Sequence, residues 1–105
     1  MGLHCIREQI GYIMIESFKQ KELEKFFRTG QGKLPQFQHK KRVERILDLL
    51  NAATVAENMN FPGSDFHKLQ PPTADRYSVS VSGNWRICFV FRNGNAYSVE
   101  YIDYH

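Results

Sequence analysis

Tyr101, Asp103, Tyr104 and His105 fall within the last five positions of the chain, in "VEYIDYH" (99–105). Chain ends usually fray and suit polar residues that have no particular task. An acid, a phenol and an imidazole at that place read either as a frayed tail or as a reactive group held by the strand leading into it. Three other histidines occur, His4, His39 and His67. His4 belongs to an N-terminal segment without clear pattern, and His39 in "QFQHKKR" reads as a solvated residue among cations on a helix. His67, in "DFHKLQPP", lies in a loop that enters a sheet, where functional groups are often carried. An ordinary loop histidine is an equal reading of it in isolation. Two imidazoles, an arginine (Arg86), a carboxylate and a phenol together suit metal-free phosphodiester cleavage in RNA. One imidazole accepts the 2′-hydroxyl proton and another donates to the leaving 5′-oxygen. Arg86 stabilises the charge that develops on the phosphate. An imidazole pKa near ~6.5 permits either role at neutral pH. No two of these residues show H-x-x-x-H or C-x-x-C spacing, so no metal and no other cofactor is expected.

The elements that must position these groups are clearest in the second half. "YSVSVS" (77–82) alternates apolar and polar residues with the period of a half-buried strand. Gly83–Asn84 is turn chemistry, "WRICFVFR" (85–92) is a second strand, and Asn93-Gly94-Asn95 turns the chain into "AYSVEYI" (96–102). A two-residue turn at Gly83–Asn84 would pair Val81 with Arg86 and mix the faces. A three-residue loop, Ser82 to Asn84, pairs Val81 with Trp85, Val79 with Ile87 and Tyr77 with Phe89, and is preferred. It leaves Ser78, Ser80, Arg86 and Arg92 on the opposite face. The second hairpin stays open: Asn93–Gly94 favours two residues, alternation favours three. If the last strand runs antiparallel to its predecessor, residues 102–105 approach Trp85 and Arg86. Arg86, Asp103, Tyr104 and His105 then share one neighbourhood.

In the first half "YIMIESF" (12–18) reads as a short strand. "KQKELEKFFRTG" carries Leu23, Phe26 and Phe27 at helical spacing and ends at Gly30, a C-cap. From Pro35 to about Ala53 a second helix places Val43, Ile46, Leu47 and Leu50 on one stripe. Thr54 with Glu57 three residues on is the pattern for capping a further short turn. The order β-α-α-β-β-β predicts an α+β fold, two helices packed on one face of a mainly antiparallel sheet.

One domain accommodates the 105 residues. A net charge of +3 suits a polyanionic partner, RNA or DNA, without specifying one. Cys5 and Cys88 form neither a metal spacing nor a disulfide framework, and Cys88 in "RICFVF" reads as a buried small hydrophobe in a reducing compartment. No stretch has the length of a membrane span, and Arg7 and Glu8 interrupt any secretory leader. A soluble cytoplasmic protein with no membrane association is expected.

From Met14 onward the sequence resembles the HigB-type killer toxins of the RelE/ParE superfamily. The motifs are "MIESFKQKELEKFF", "ATVAENMNFPG", "FHKL", "RYSVSVSGNWRICFVF" and the closing "DYH", specific in this order and spacing. The resemblance implies a toxin domain over 14–105, with residues 1–13 as an N-terminal extension, an upstream start or appended residues. It implies metal-independent cutting of messenger RNA in the A site of the 70S ribosome, and neutralisation by a HigA-type helix-turn-helix antitoxin. Operator DNA would be met only through the antitoxin complex. Carried over position by position, the functional histidine is His67, the terminal triplet Asp103, Tyr104 and His105, and the phosphate-contacting arginine Arg86. Lys68 and Arg76, with Arg92, are the secondary RNA contacts. The chain departs from the pattern after "FHKL", where a basic, glycine-containing loop is usual. Here "QPPTAD" supplies no cation before Arg76, which should weaken phosphate contacts or alter how the ribosome is engaged. A ParE-like gyrase-binding inhibitor without nuclease activity is the alternative function, and a partner in an operator-binding repressor complex a third. A terminal imidazole beside an acid favours the nuclease, since a pure binder has no use for it.

Overall fold

The computed structural model describes residues 15–34 and 37–104. His4, Cys5, residues 12–14 of the expected first strand, Pro35, His105 and the proposed extension over residues 1–13 lie outside them. Helix α1 spans Lys21–Thr29 and helix α2 spans Lys40–Ala52. Strands β1 (His67–Lys68), β2 (Arg76–Ser82), β3 (Trp85–Arg92) and β4 (Asn95–Asp103) form one antiparallel sheet in the order β1-β2-β3-β4. Residues 15–19 run parallel to β4, with Glu16 N–H on Ala96 O at 2.6 Å and Lys19 N–H on Val99 O at 2.9 Å. The expected α+β architecture is observed, with one extra short strand, β1.

Helix α1 buries Leu23, Phe26 and Phe27, the residues its spacing singles out. Gly30 ends it at φ 77°, a left-handed conformation glycine adopts without penalty, and its N–H reaches Phe26 O at 2.8 Å. No side chain caps the start of this helix. The Gln20 amide instead takes both main-chain groups of Tyr101, its Nε2 donating to Tyr101 O and its Oε1 accepting from Tyr101 N–H. Helix α2 buries Val43, Ile46, Leu47 and Leu50, and its Asn51 Oδ1 accepts from Ile15 N–H at 3.2 Å. This helix begins at Lys40, after a 3₁₀ turn over Phe37–His39, because His39 is engaged with the sheet rather than with solvent. After α2, Asn58 Oδ1, not Glu57, accepts from Thr54 N–H and Val55 N–H to start the 3₁₀ turn Ala56–Met59. Both helices pack their stripes on Val79, Ile87, Phe89, Val99 and Tyr101 of the sheet. Complete burial of each such side chain contributes about 1.5–3 kcal/mol before entropy is counted.

The two hairpins resolve a conflict between turn chemistry and alternation. Tyr77 pairs with Phe89 and Val79 with Ile87, as expected, but Ser82 pairs with Trp85. The turn is therefore the two-residue Gly83–Asn84, not a three-residue loop, and Val81 becomes the extra residue of a bulge. The second hairpin repeats the device. Asn93 and Gly94, both at positive φ, make a two-residue turn between Arg92 and Asn95, and a bulge follows where Ser98 takes φ 53°. Each bulge restores the apolar face that its tight turn would have shifted. The face away from the helices then carries His67, Ser78 and Cys88 in one row and Ser80, Arg86 and Ile102 in another.

Candidate active site

Arg86 lies near the start of β3 on the polar face, with its side chain only 15% exposed. Three hydrogen bonds fix its guanidinium. Nε donates to Ser78 Oγ at 2.8 Å, Nη1 to Asp65 Oδ2 at 3.2 Å and Nη2 to Asp65 O at 2.6 Å. An arginine so held loses little freedom when a phosphate arrives, which is what stabilising a developing charge requires.

His67 reaches the same residue. Its Nδ1 stands 3.0 Å from Asp65 O and 3.6 Å from Asp65 Oδ1. A carbonyl oxygen only accepts, so Nδ1 carries the hydrogen and Nε2 is the nitrogen left for chemistry. The histidine is in strand rather than loop because its neighbour Phe66 stacks on Tyr77, ring centroids 5.4 Å apart. That contact presses His67 against Ser78, its partner in the ladder.

Asp65 therefore joins the two groups, and sequence reasoning missed it. It sits at φ 47°, a left-handed conformation that aspartate tolerates better than most residues. The loop before it is clamped by Arg42 of α2, whose Nη2 donates to Gly63 O at 2.9 Å and Ser80 O at 3.3 Å, while Ser80 N–H bonds Ser64 O at 2.7 Å. An acid two residues before a histidine, after the small pair Gly63–Ser64, was the available signal.

The end of β4 arrives at the same edge, as expected. Arg86 pairs with Ile102, Trp85 with Asp103, and Tyr104 N–H donates to Asn84 O at 2.7 Å. Alternation puts Ile102 on the face of Arg86 but Asp103 on that of Trp85, so Asp103 neighbours Arg86 along the ladder from the opposite side. Tyr104 is exposed, and His105, which follows it, lies outside the described residues. The three cations expected at secondary RNA contacts are all ion-paired. Arg76 Nη2 lies 3.2 Å from Glu100, while Arg92 Nε at 3.0 Å and Lys68 Nζ at 4.0 Å share Asp75 of the proline-containing loop.

Cys88 is buried between Ser78 and Glu100, and burial, with Glu100 adding to it, pushes its thiol up to about 11. It is a protonated packing residue at neutral pH, not a nucleophile. On the helix side, His39 is not the solvated residue expected. Its Nδ1 lies 2.6 Å from the Tyr101 hydroxyl, and its ring meets those of Trp85 and Tyr101 edge-on. Burial raises the Tyr101 phenol to about 12, so it stays protonated and serves packing. Among the described residues no three His, Cys, Asp or Glu side chains cluster in a way that would hold a metal ion. No helix among them is long and apolar enough to cross a membrane.

A family model described as the RelE-like toxin of the type II toxin–antitoxin system HigB matches residues 16–105. The Endoribonuclease HigB of Proteus vulgaris is 40% identical over 95 residues, covering 88% of this chain and 100% of that protein. With the whole described sheet and both helices inside the match, the chain belongs to the HigB-like family of RelE-like toxins of type II toxin–antitoxin systems.

Proposed function

We propose that this toxin is a ribosome-dependent messenger RNA endonuclease that needs no metal and stops translation in the cytoplasm. The observation that carries the reading is the sharing of Asp65 by Arg86 and His67, an anion-binding group and a proton-transfer group set against one place. The endoribonuclease name of the 40% identical relative supports it. The ribose 2′-oxygen attacks phosphorus and loses its proton to one imidazole. The bond from phosphorus to the 5′-oxygen breaks as a second imidazole protonates that oxygen, leaving a cyclic phosphate and a 5′-hydroxyl. His67, through Nε2, and His105 carry these two transfers. Arg86 stabilises the charged phosphorane, and Asp103 and Tyr104 position the terminal imidazole and the RNA. Lys68, Arg76 and Arg92 exchange their carboxylate partners for RNA phosphates at the edge of the face.

As a type II toxin the chain has an antitoxin partner. On our reading it is a HigA-type helix-turn-helix protein, through which alone operator DNA is met, and the other partner is the 70S ribosome with A-site messenger RNA. The toxin domain spans 14–105 behind an extension over 1–13, a division supported by the family match over 16–105. Primer extension on messenger RNA after brief induction, and on purified RNA with and without ribosomes, tests the function. Cuts inside codons that need ribosomes are expected; growth arrest with intact messenger RNA would overturn it.

A further inference from the structure

We propose that Asp65 is the positioning residue of this site, and that its carboxylate reserves on Arg86 the place an RNA phosphate takes. The inference rests on the nuclease reading for the identity of the phosphate. Asp65 acts on the site through two different atoms. Its main-chain oxygen binds Arg86 Nη2 at 2.6 Å and His67 Nδ1 at 3.0 Å. That oxygen stays in place as long as the loop keeps its left-handed turn, which Arg42 secures through Gly63 O. The carboxylate is a separate matter. It is 61% exposed, meets Arg86 at Nη1, 3.2 Å away, and stands 3.6 Å from His67 Nδ1.

A guanidinium prefers an oxyanion at that position, and phosphate and carboxylate compete for the same geometry. The carboxylate is the exposed partner of this pair, so it rotates into water at little cost while the guanidinium stays in place. The main-chain oxygen and Ser78 meanwhile keep Arg86 and His67 aimed. Binding is then an exchange of one oxyanion for another on a guanidinium that does not move. A lone weak anion gains nothing from displacing Asp65. A strand anchored elsewhere by the ribosome does, so the exchange favours RNA that is already held.

The test uses the full chain and a short single-stranded RNA, 2′-O-methylated at every ribose so that it is not cut. Affinity is read by fluorescence anisotropy. Asp65→Asn removes the charge while keeping a residue that accepts a left-handed turn, and Asp65→Gly does so by a second route. Both are expected to bind the RNA roughly two- to fivefold more tightly than wild type, and the gain should vanish when Arg86→Gln is present as well. Unchanged or weaker binding in both variants, or the same gain without Arg86, overturns the proposal. Cutting is scored separately on ribosome-bound messenger RNA. Tighter binding without any cutting would leave the exchange standing and remove the nuclease reading; cutting with unchanged affinity would do the reverse.

Discussion

The polar face holds two aspartate–arginine pairs that look alike and behave differently. Asp65 and Asp75 both sit at positive φ, 47° and 54°. Each offers its carboxylate to an arginine of β3, Asp65 to Arg86 and Asp75 to Arg92. Each arginine also donates to a main-chain carbonyl nearby, Asp65 O or Ala74 O. The difference is burial. The Arg86 side chain is 15% exposed and donates a third bond to Ser78, while that of Arg92 is 54% exposed and shares its acid with Lys68. Solvent screens the second pair, so it orders little and contributes about 0–1 kcal/mol. The first holds a charge in a fixed direction, and fixed direction is what transition-state stabilisation uses. Identical chemistry at two ends of one strand thus yields a fixed guanidinium at one end and a screened, charged rim at the other.

The largest expected effect comes from substituting each arginine in turn. Arg86→Ala should slow cleavage of ribosome-bound messenger RNA by roughly a hundredfold or more, whereas Arg92→Ala should slow it by no more than about threefold. Equal losses in single-turnover rates would erase the distinction. The Asp65 end is also clamped by Arg42 of α2. Arg42→Ala frees Gly63 O and Ser80 O, and should cost about 1–2 kcal/mol in chemical denaturation. Loosening the Asp65 turn should also lower the cleavage rate by roughly tenfold. A variant that lost stability but kept the wild-type rate would show that the clamp does not position the site.

Alkaline unfolding tests the buried groups on either face of the sheet near Arg86. Burial holds the Cys88 proton from the ordinary 9.0 up to about 11, and the Tyr101 proton from 10.0 up to about 12. The unfolded chain releases both earlier. The stability they carry is therefore whole below pH 9.0 and declines as pH rises towards 12. Cys88→Ala should flatten the part of that decline between pH 9.0 and about 11, as read from denaturation midpoints. The smallest effect belongs to the rim: Arg92→Ala should reduce the salt slope of RNA affinity by about 1 and leave stability within about 0.5 kcal/mol.

Much of this was legible in the chain, and the rest was hidden for physical reasons. Alternation in "YSVSVS" and "WRICFVF" set two of the three expected ladder pairs, and the stripes of α1 and α2 were read correctly. The bulges were not, because turn chemistry and alternation each demanded a different loop length and only an extra strand residue satisfies both. Strand β1 escaped because two residues carry no period; the Phe66–Tyr77 stack creates it. His39 looked solvated because its partner, Tyr101, is sixty-two positions away. Asp65 was overlooked for the same reason, since Arg86 lies twenty-one positions on.

The central claim is that the Arg86 end of the face and the terminal histidine form one active site. Deleting His105 and measuring single-turnover cleavage of ribosome-bound messenger RNA, with thermal melting on the same sample, tests it most directly. A loss of roughly a hundredfold or more in rate with melting unchanged is predicted. Cleavage at the wild-type rate by the shortened chain would contradict it.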